Sequence, residues 1–314
     1  MSGQKVALLG ATSHVAKNLV AGMASKHQLS LFARSTEKVA EFLSSQGINK
    51  GTTEVLVLDS FGEQATPLDA VINCVGFGTP EKVRSQGADI FAVTERYDNL
   101  ILGYLARHPS TVYVNFSSGA VYGTDSQQPV DRNAEFRLRL DSITVADAYR
   151  IAKLGSEAKH RSWVGRSIID LRLFSFFSRH IDVTSSYLVT EMVRAIQHGV
   201  EFVTNDVEIV RDYVHPDDLC DLVSRCVQSK GINRPFDVYS SRPCRKSEII
   251  RAFQERFGLK VRMVEEPVKV SPTGVKSCYS SNNHEAEAAL GYVPRHSSLD
   301  SLLDEAGALL SARE

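Results

Sequence analysis

The sequence predicts an α/β fold: a doubly wound parallel sheet with helices on both faces, followed by a smaller C-terminal α/β lobe. Three observations carry this. Short runs that are apolar throughout alternate with longer amphipathic stretches over the first half of the chain. Strands buried on both faces and helices buried on one require that alternation. A glycine-bearing turn joins the first apolar run to the first amphipathic stretch, and the regular alternation decays beyond about Ser178.

In order, "KVALLG" reads as a strand, "HVAKNLVAGMAS" as a helix, and "LSLFAR" as a second strand. "STEKVAEFLSS" is a helix with Ser35 as its N-cap, because a serine hydroxyl there accepts from an otherwise unpaired backbone amide. "EVLVLD", "DAVINCVG" and "TVYVNFSS" continue the strands, with the helix "FAVTERYDNLILGYLARH" between the last two. The helix "DAYRIAKLGSE" and the strand "SIIDLRLFSF" complete this part. Then come the irregular "EFVTNDVEIVRDYVHPDDL", a helix "LCDLVSRCVQ", a short strand "FDVYSS" and a helix from "KSEIIRAFQERFG". A loop from "VKVSPTGVKS" and two short helices end the chain. The expected division is 1–177 for the sheet domain and 178–314 for the lobe, with part of about 205–240 returning to the sheet.

The 314 residues are 43% hydrophobic and 23% charged, as in ordinary globular proteins. The formal net charge is −1 and no block of five like charges occurs, which argues against nucleic acid or an anionic membrane as partner. No apolar run approaches the ~20 residues of a membrane span, and the opening run reaches Gly10 too soon for a secretory core. A cytoplasmic protein is expected. The five cysteines lack any Cys-x-x-Cys pair, so they read as reduced thiols, with neither a disulfide framework nor a metal site expected.

The turn "GATSHVA" places Gly10, Ser13 and Ala16 at three-residue spacing. A dinucleotide turn needs a residue tolerant of tight geometry, then a small one beside the pyrophosphate, then a small one where helix meets strand. Only the first is glycine here, and a generic strand-to-helix turn has the same form. At the end of the second strand, where selection for NAD uses an acid, the chain has Ala33, Arg34 and Ser35. A guanidinium and a hydroxyl suit a 2′-phosphate, which favours NADP(H) while leaving NAD(H) possible. Arg34 is alternatively only a solvated strand end. Asp59 is placed to accept from an adenine amine or to cap a helix. "FSSGAVYG" puts Ser117 and Ser118 at the carboxyl end of a parallel strand, where open α/β sheets bind ligands, though "SSG" also suits a turn. Tyr149 and Lys153 lie at i and i+4, neighbours on a helix surface. Such a pair serves proton transfer if the cation stabilises a phenolate, and is otherwise a solvated surface pair.

The segments "GATSHVA", "SSGAVYG", "YRIAK", "LRLFSF" and "RDYVHPDDL" occur in an order that resembles the extended short-chain dehydrogenase/reductase family, the NAD-dependent epimerase/dehydratase type that modifies nucleotide sugars. The resemblance implies a Rossmann domain over 1–177 and a substrate lobe over 178–314. It makes Tyr149 the acid/base, Lys153 the cation that lowers its pKa and holds the nicotinamide ribose, and Ser118 the group that polarises the substrate oxygen. Cofactor contacts then fall on Gly10, Thr12, Ser13, His14, Val15, Arg34, Ser35, Asp59, Ser60, Cys74, Val75, Gly76 and Phe174. Substrate contacts fall on Gly119, Ala120, Ser175, His180 and Arg211, with Asp212 beside the last. A homodimer through the helices holding Tyr97 and Tyr149 is also implied.

Departures from the family pattern narrow the reaction. Dehydratases of the family carry an Asp-Glu pair where this chain has Gly119 and Ala120, and multi-centre epimerases use a cysteine at the second position. Ser175 replaces the usual Asn, and Phe177, Ser178 and Arg179 replace Tyr-Gly-Pro. The expectation is an NADP-dependent ketoreductase for a 4-keto-6-deoxy nucleotide sugar. The alternatives are a C4 epimerase with retained cofactor and a non-catalytic NADP-binding sensor.

Overall fold

The computed structural model describes residues 3–48, 51–76, 87, 89–123, 127–138, 140–265 and 277–312. Its strands are β1 (Lys5–Leu9), β2 (Gln28–Ala33), β3 (Thr53–Val57), β4 (Ala70–Asn73), β5 (Val112–Ser118), β6 (Ser167–Leu173), β7 (Ser175–Phe176), β8 (Phe202–Thr204), β9 (Val210–Arg211), β10 (Tyr213–Val214), β11 (Asn233–Val238), β12 (Cys244–Arg245), β13 (Val261–Met263) and β14 (Cys278–Tyr279). Its helices are α1 (His14–Met23), α2 (Thr36–Ser45), α3 (Asp89–Arg107), α4 (Val145–Arg161), α5 (Leu188–His198), α6 (Pro216–Gln228), α7 (Lys246–Phe257), α8 (Glu285–Leu290) and α9 (Ser298–Ser311).

Seven strands form one sheet in the order β11-β6-β5-β4-β1-β2-β3, and every pairing in it is parallel. The strand order reverses between β1 and β4, so the switch point lies beside Leu9 and Asn73, which are in register. Open sheets of this kind bind ligands at that crevice. The alternation of side chains along each strand fills two cores. Val6 and Leu8 join Leu19, Met23, Val114, Leu219 and Val223 on the face under α1 and α6. Ala7 and Leu9 join Phe61, Ile101, Tyr104 and Tyr113 under α3. Gly22 sets the approach of α1 to α6: a Cβ there would stand 2.6 Å from Cys220 Sγ.

A third core holds the lobe. Phe177, Met192, Val193 and Phe202 pack with Tyr213, Ile249, Phe253 and Leu302 from α7, α9 and the short strands. The strand β11 pairs with β6 at one edge of the main sheet.

Three details differ from the sequence reading. The strand at "EVLVLD" ends at Val57, and a 3-10 turn over Leu58–Glu63 takes its place because Leu58 and Phe61 both turn into the core. The strand at "SIIDLRLFSF" is broken at Phe174, whose ring leaves the sheet to pack near Tyr122 and Tyr279. The helix at "LCDLVSRCVQ" starts earlier, at Pro216, because the His215 ring caps Asp217 N and proline suits the first turn. The loop expected from "VKVSPTGVKS" lies largely outside the described residues. All five cysteines are free thiols, four of them buried.

Candidate active site

The turn after β1 is built as a phosphate cradle would be. Gly10 has φ +77°, and a Cβ on it would fall 2.9 Å from the Cys74 carbonyl and Val75 N. Only glycine fits that conformation and that gap. Ser13 substitutes for a glycine by folding its hydroxyl back as the N-cap of α1, where it accepts from Ala16 N at 3.2 Å. Ala16 is fully buried where the helix meets the sheet. Thr12 is exposed, and Val15 packs partly buried against the core. His14 Nε2 lies 2.7 Å from Ser178 Oγ, which also accepts from Asn18 Nδ2 at 2.9 Å. Burial, reinforced by His180 and Lys17, pushes the His14 imidazole down to about 3, so it is neutral. His180 rests edge-on against Phe42, with its imidazole also lowered by burial.

At the next two strand tips, Arg34 is exposed, while Ser35 caps α2 and donates to Glu37 at 2.9 Å. Asp59 accepts from Tyr97 at 3.1 Å and pairs with Arg96 at 3.0 Å, both on α3. Ser60 donates to Val57 O. Beyond β4, Cys74 N is held by Leu9 O, and Val75 N by the Asn73 side chain. Burial raises the Cys74 thiol, which is therefore not a thiolate.

Ser118 ends β5 and Tyr149 and Lys153 stand one turn apart on α4, whose start is fixed by Asp147 accepting from Thr144 N at 2.8 Å. Lys153 Nζ lies 6.0 Å from the Tyr149 ring centre and donates to Phe116 O at 2.7 Å. A Cβ on Gly76 would stand 3.8 Å from that amine, so Lys153 joins the tips of β4 and β5. Ser118 Oγ accepts from Ala120 N at 3.1 Å and lies 3.3 Å from Tyr279 OH. Ser117 points elsewhere and donates to Glu157 at 2.5 Å.

Gly119 has no room for a side chain, since a Cβ there would reach the Phe174 ring at 2.5 Å. At position 119 the Phe174 ring, as placed here, thus occupies the space a larger side chain would need. Ser175 N donates to Asp212 O. Arg211 is buried in β9 between β12 and β14, and burial lowers its pKa. Its neighbour Asp212 turns away from it to accept from Ser240 N and Ser298 Oγ, and burial raises it to about 6.

Two features escaped sequence reasoning. Glu157 continues the 149, 153 spacing by one more turn, a signal that was present. It holds Arg172 at 2.6 Å, and Arg172 in turn donates to Tyr122 OH, which donates to Asp237. Tyr279 had no such signal: it reaches Ser118 from the lobe, across 161 residues of sequence.

A parallel sheet in this order, with a glycine turn after β1 opening onto a helix, defines a Rossmann-type dinucleotide-binding protein. The sequence model of the NAD dependent epimerase/dehydratase family matches residues 6–240. The chain belongs to that family, which is of the extended short-chain dehydrogenase/reductase type. Comparison with curated protein sequences found no match. Among solved structures, it is similar to a UDP-N-acetylglucosamine 4-epimerase from Methanobrevibacter ruminantium M1 (TM-score 0.82, 16% identity, 100% of each chain). It is also similar to a UDP-glucose-4-epimerase from Stenotrophomonas maltophila with bound NAD (TM-score 0.80, 19% identity, 99% of this chain and 98% of that one). A third is a dTDP-glucose 4,6-dehydratase from Bacillus anthracis in complex with NAD (TM-score 0.77, 11% identity, 99% and 97%). At these identities the likeness is one of fold.

Proposed function

We propose that the chain is an NADP-dependent ketoreductase for a 4-keto-6-deoxy nucleotide sugar, acting in the cytoplasm as a homodimer through α3 and α4. Residues 1–177 hold the cofactor and 178–314 mainly the substrate. The observation that carries this reading is the Ser118, Tyr149 and Lys153 group, with a packed Gly119 and an Ala120 beside it where elimination or multi-centre epimerisation would need acids.

The cradle at Gly10, the strand tips after β2 and β4, and Lys153 beside Gly76 fit a nicotinamide dinucleotide. When bound, that cofactor supplies hydride chemistry. Arg34 binds the 2′-phosphate, since the Ser35 hydroxyl is engaged with Glu37 and an exposed guanidinium is left for the task. Lys153, fixed by Phe116 O, orients the nicotinamide ribose and favours the Tyr149 phenolate formed as Tyr149 gives its proton to the sugar oxygen. Ser118 donates a hydrogen bond to the same oxygen as charge develops on it. Arg211 binds the nucleotide diphosphate.

A second reading is favoured by the structural neighbours, of which two of the three described above are 4-epimerases: the same residues support removal and return of hydride at C4. A turnover screen separates the two. NADPH consumption with 4-keto-6-deoxy sugars on different nucleotides supports the reductase. Interconversion of two nucleotide hexoses without added cofactor, and no NADPH consumption, replaces it with the epimerase. In either enzyme Tyr149→Phe abolishes turnover and spares cofactor binding.

A further inference from the structure

We infer that Tyr279 is a positioning residue that commits the Ser118 hydroxyl to act as a hydrogen-bond donor toward the substrate oxygen. A serine hydroxyl has one hydrogen to give and two lone pairs to fill. One lone pair of Ser118 Oγ is taken by Ala120 N at 3.1 Å. Tyr279 OH stands 3.3 Å from the same oxygen, and a phenol is the more acidic and therefore the better donor of two hydroxyls. With Tyr279 as the donor both lone pairs are filled, and the single Ser118 hydrogen is left for a third group. That group is the substrate oxygen, and a ketone, which can only accept, is the partner such a serine suits.

Tyr279 is held for this task. Its ring lies 5.0 Å from Phe174, which in turn fills the space over Gly119, and its backbone pairs with Arg211 through β14 and β9. It is buried, and burial raises its phenol, so it remains a protonated donor at neutral pH. Ser118 belongs to the main sheet and Tyr279 to the lobe. The serine is thus set only when the lobe strands are docked, which couples packing of the two units to polarisation of the substrate.

The inference rests on the proposed role of Ser118, which the reductase and epimerase readings share. It is tested by a double-mutant cycle of Tyr279→Phe and Ser118→Ala, with kcat, KM and NADPH affinity measured on the better substrate found in the turnover screen. Phenylalanine keeps the ring against Phe174, and thermal unfolding verifies that each variant folds. Ser118→Ala is expected to lower kcat by roughly 10²-fold, as for loss of one polarising donor. Tyr279→Phe is expected to lower kcat about five- to tenfold, the worth of one hydrogen bond, with KM and NADPH affinity little changed. In the Ser118→Ala background the second change is expected to cost nothing further, because residues acting through one another are not additive. Additive losses, a rise in KM alone, or an unchanged kcat in Tyr279→Phe overturns the inference while leaving the proposed function standing. A folded protein inert toward both substrate classes removes the proposed function first, and this inference with it.

Discussion

Beneath the sheet a histidine is clamped between two aspartates, and its charge gives the fold a defined alkaline limit. His160, on α4, is fully buried. Its Nδ1 lies 2.9 Å from Asp170 on β6 and its Nε2 lies 2.7 Å from Asp98 on α3. With a carboxylate on each side, both ring nitrogens donate, which only the imidazolium does. Burial acts to lower its pKa, but the hydrogen bonds to Asp170 and Asp98 outweigh that and raise it from 6.5 to about 9. Since the folded value is the higher, the stabilisation is fully present below about pH 6.5 and is lost as pH rises through about 9. The shift corresponds to about 3 kcal/mol at ~1.4 kcal/mol per pH unit, most of it lost between pH 7 and 9.5.

Replacing His160 by Gln removes the charge and leaves two buried carboxylates facing a neutral amide. Removing one partner of a buried pair typically costs about 3–5 kcal/mol. Lys159 and Arg161 also reach Asp98 and Asp170, at 2.5 and 2.8 Å, which puts the expected loss near the lower end. The single tryptophan, Trp163, bonds to His160 O through its backbone and is a built-in fluorescent reporter. Urea unfolding followed by its emission at pH 7, 8 and 9.5 is expected to show a falling midpoint for the parent protein. The Gln variant should start lower and change much less. Equal pH slopes for the two proteins would show that His160 does not carry the titration and would refute the argument.

Three further outcomes are expected. Arg34→Ala should weaken NADPH binding by roughly ten- to a hundredfold, the worth of one charged hydrogen bond, and leave NADH binding unchanged in a direct titration. Glu157→Gln leaves the Arg172 guanidinium with only the more distant Asp237 carboxylate, at 3.9 Å, and should cost about 3 kcal/mol in chemical denaturation. Gly119→Ala drives a methyl into the Phe174 ring, for about 1–3 kcal/mol of overpacking by the same assay, and disturbs Ser118 through Tyr279.

What the sequence revealed and what it hid follow from the range of the interactions involved. The centre of the main sheet was legible because β1, β4 and most of β5 are apolar on both faces, a property of consecutive residues, and the Tyr149–Lys153 pair because a helix fixes i and i+4 neighbours locally. Glu157 belonged to the same pattern, one turn on. Asp170 was a signal of another kind: a carboxylate amid the apolar run "SIIDL" of a buried strand must find partners, and the structure supplies His160, Asn115 and Arg161.

Which partners it would find was not legible, because Asp98 and His160 look like ordinary solvated positions until α3 and α4 are packed side by side. Tyr279 lies furthest from any linear signal. Its strand is two residues long, too short for a period, and its place beside Ser118 depends on pairing with β9 more than 60 residues earlier. The residues that bear the proposed chemistry thus sit on long, regular elements that a linear pattern can reveal. The residue inferred to set the serine's hydrogen sits on a short strand whose position is set only by tertiary packing, and there a change in the lobe can alter turnover without touching Ser118, Tyr149 or Lys153.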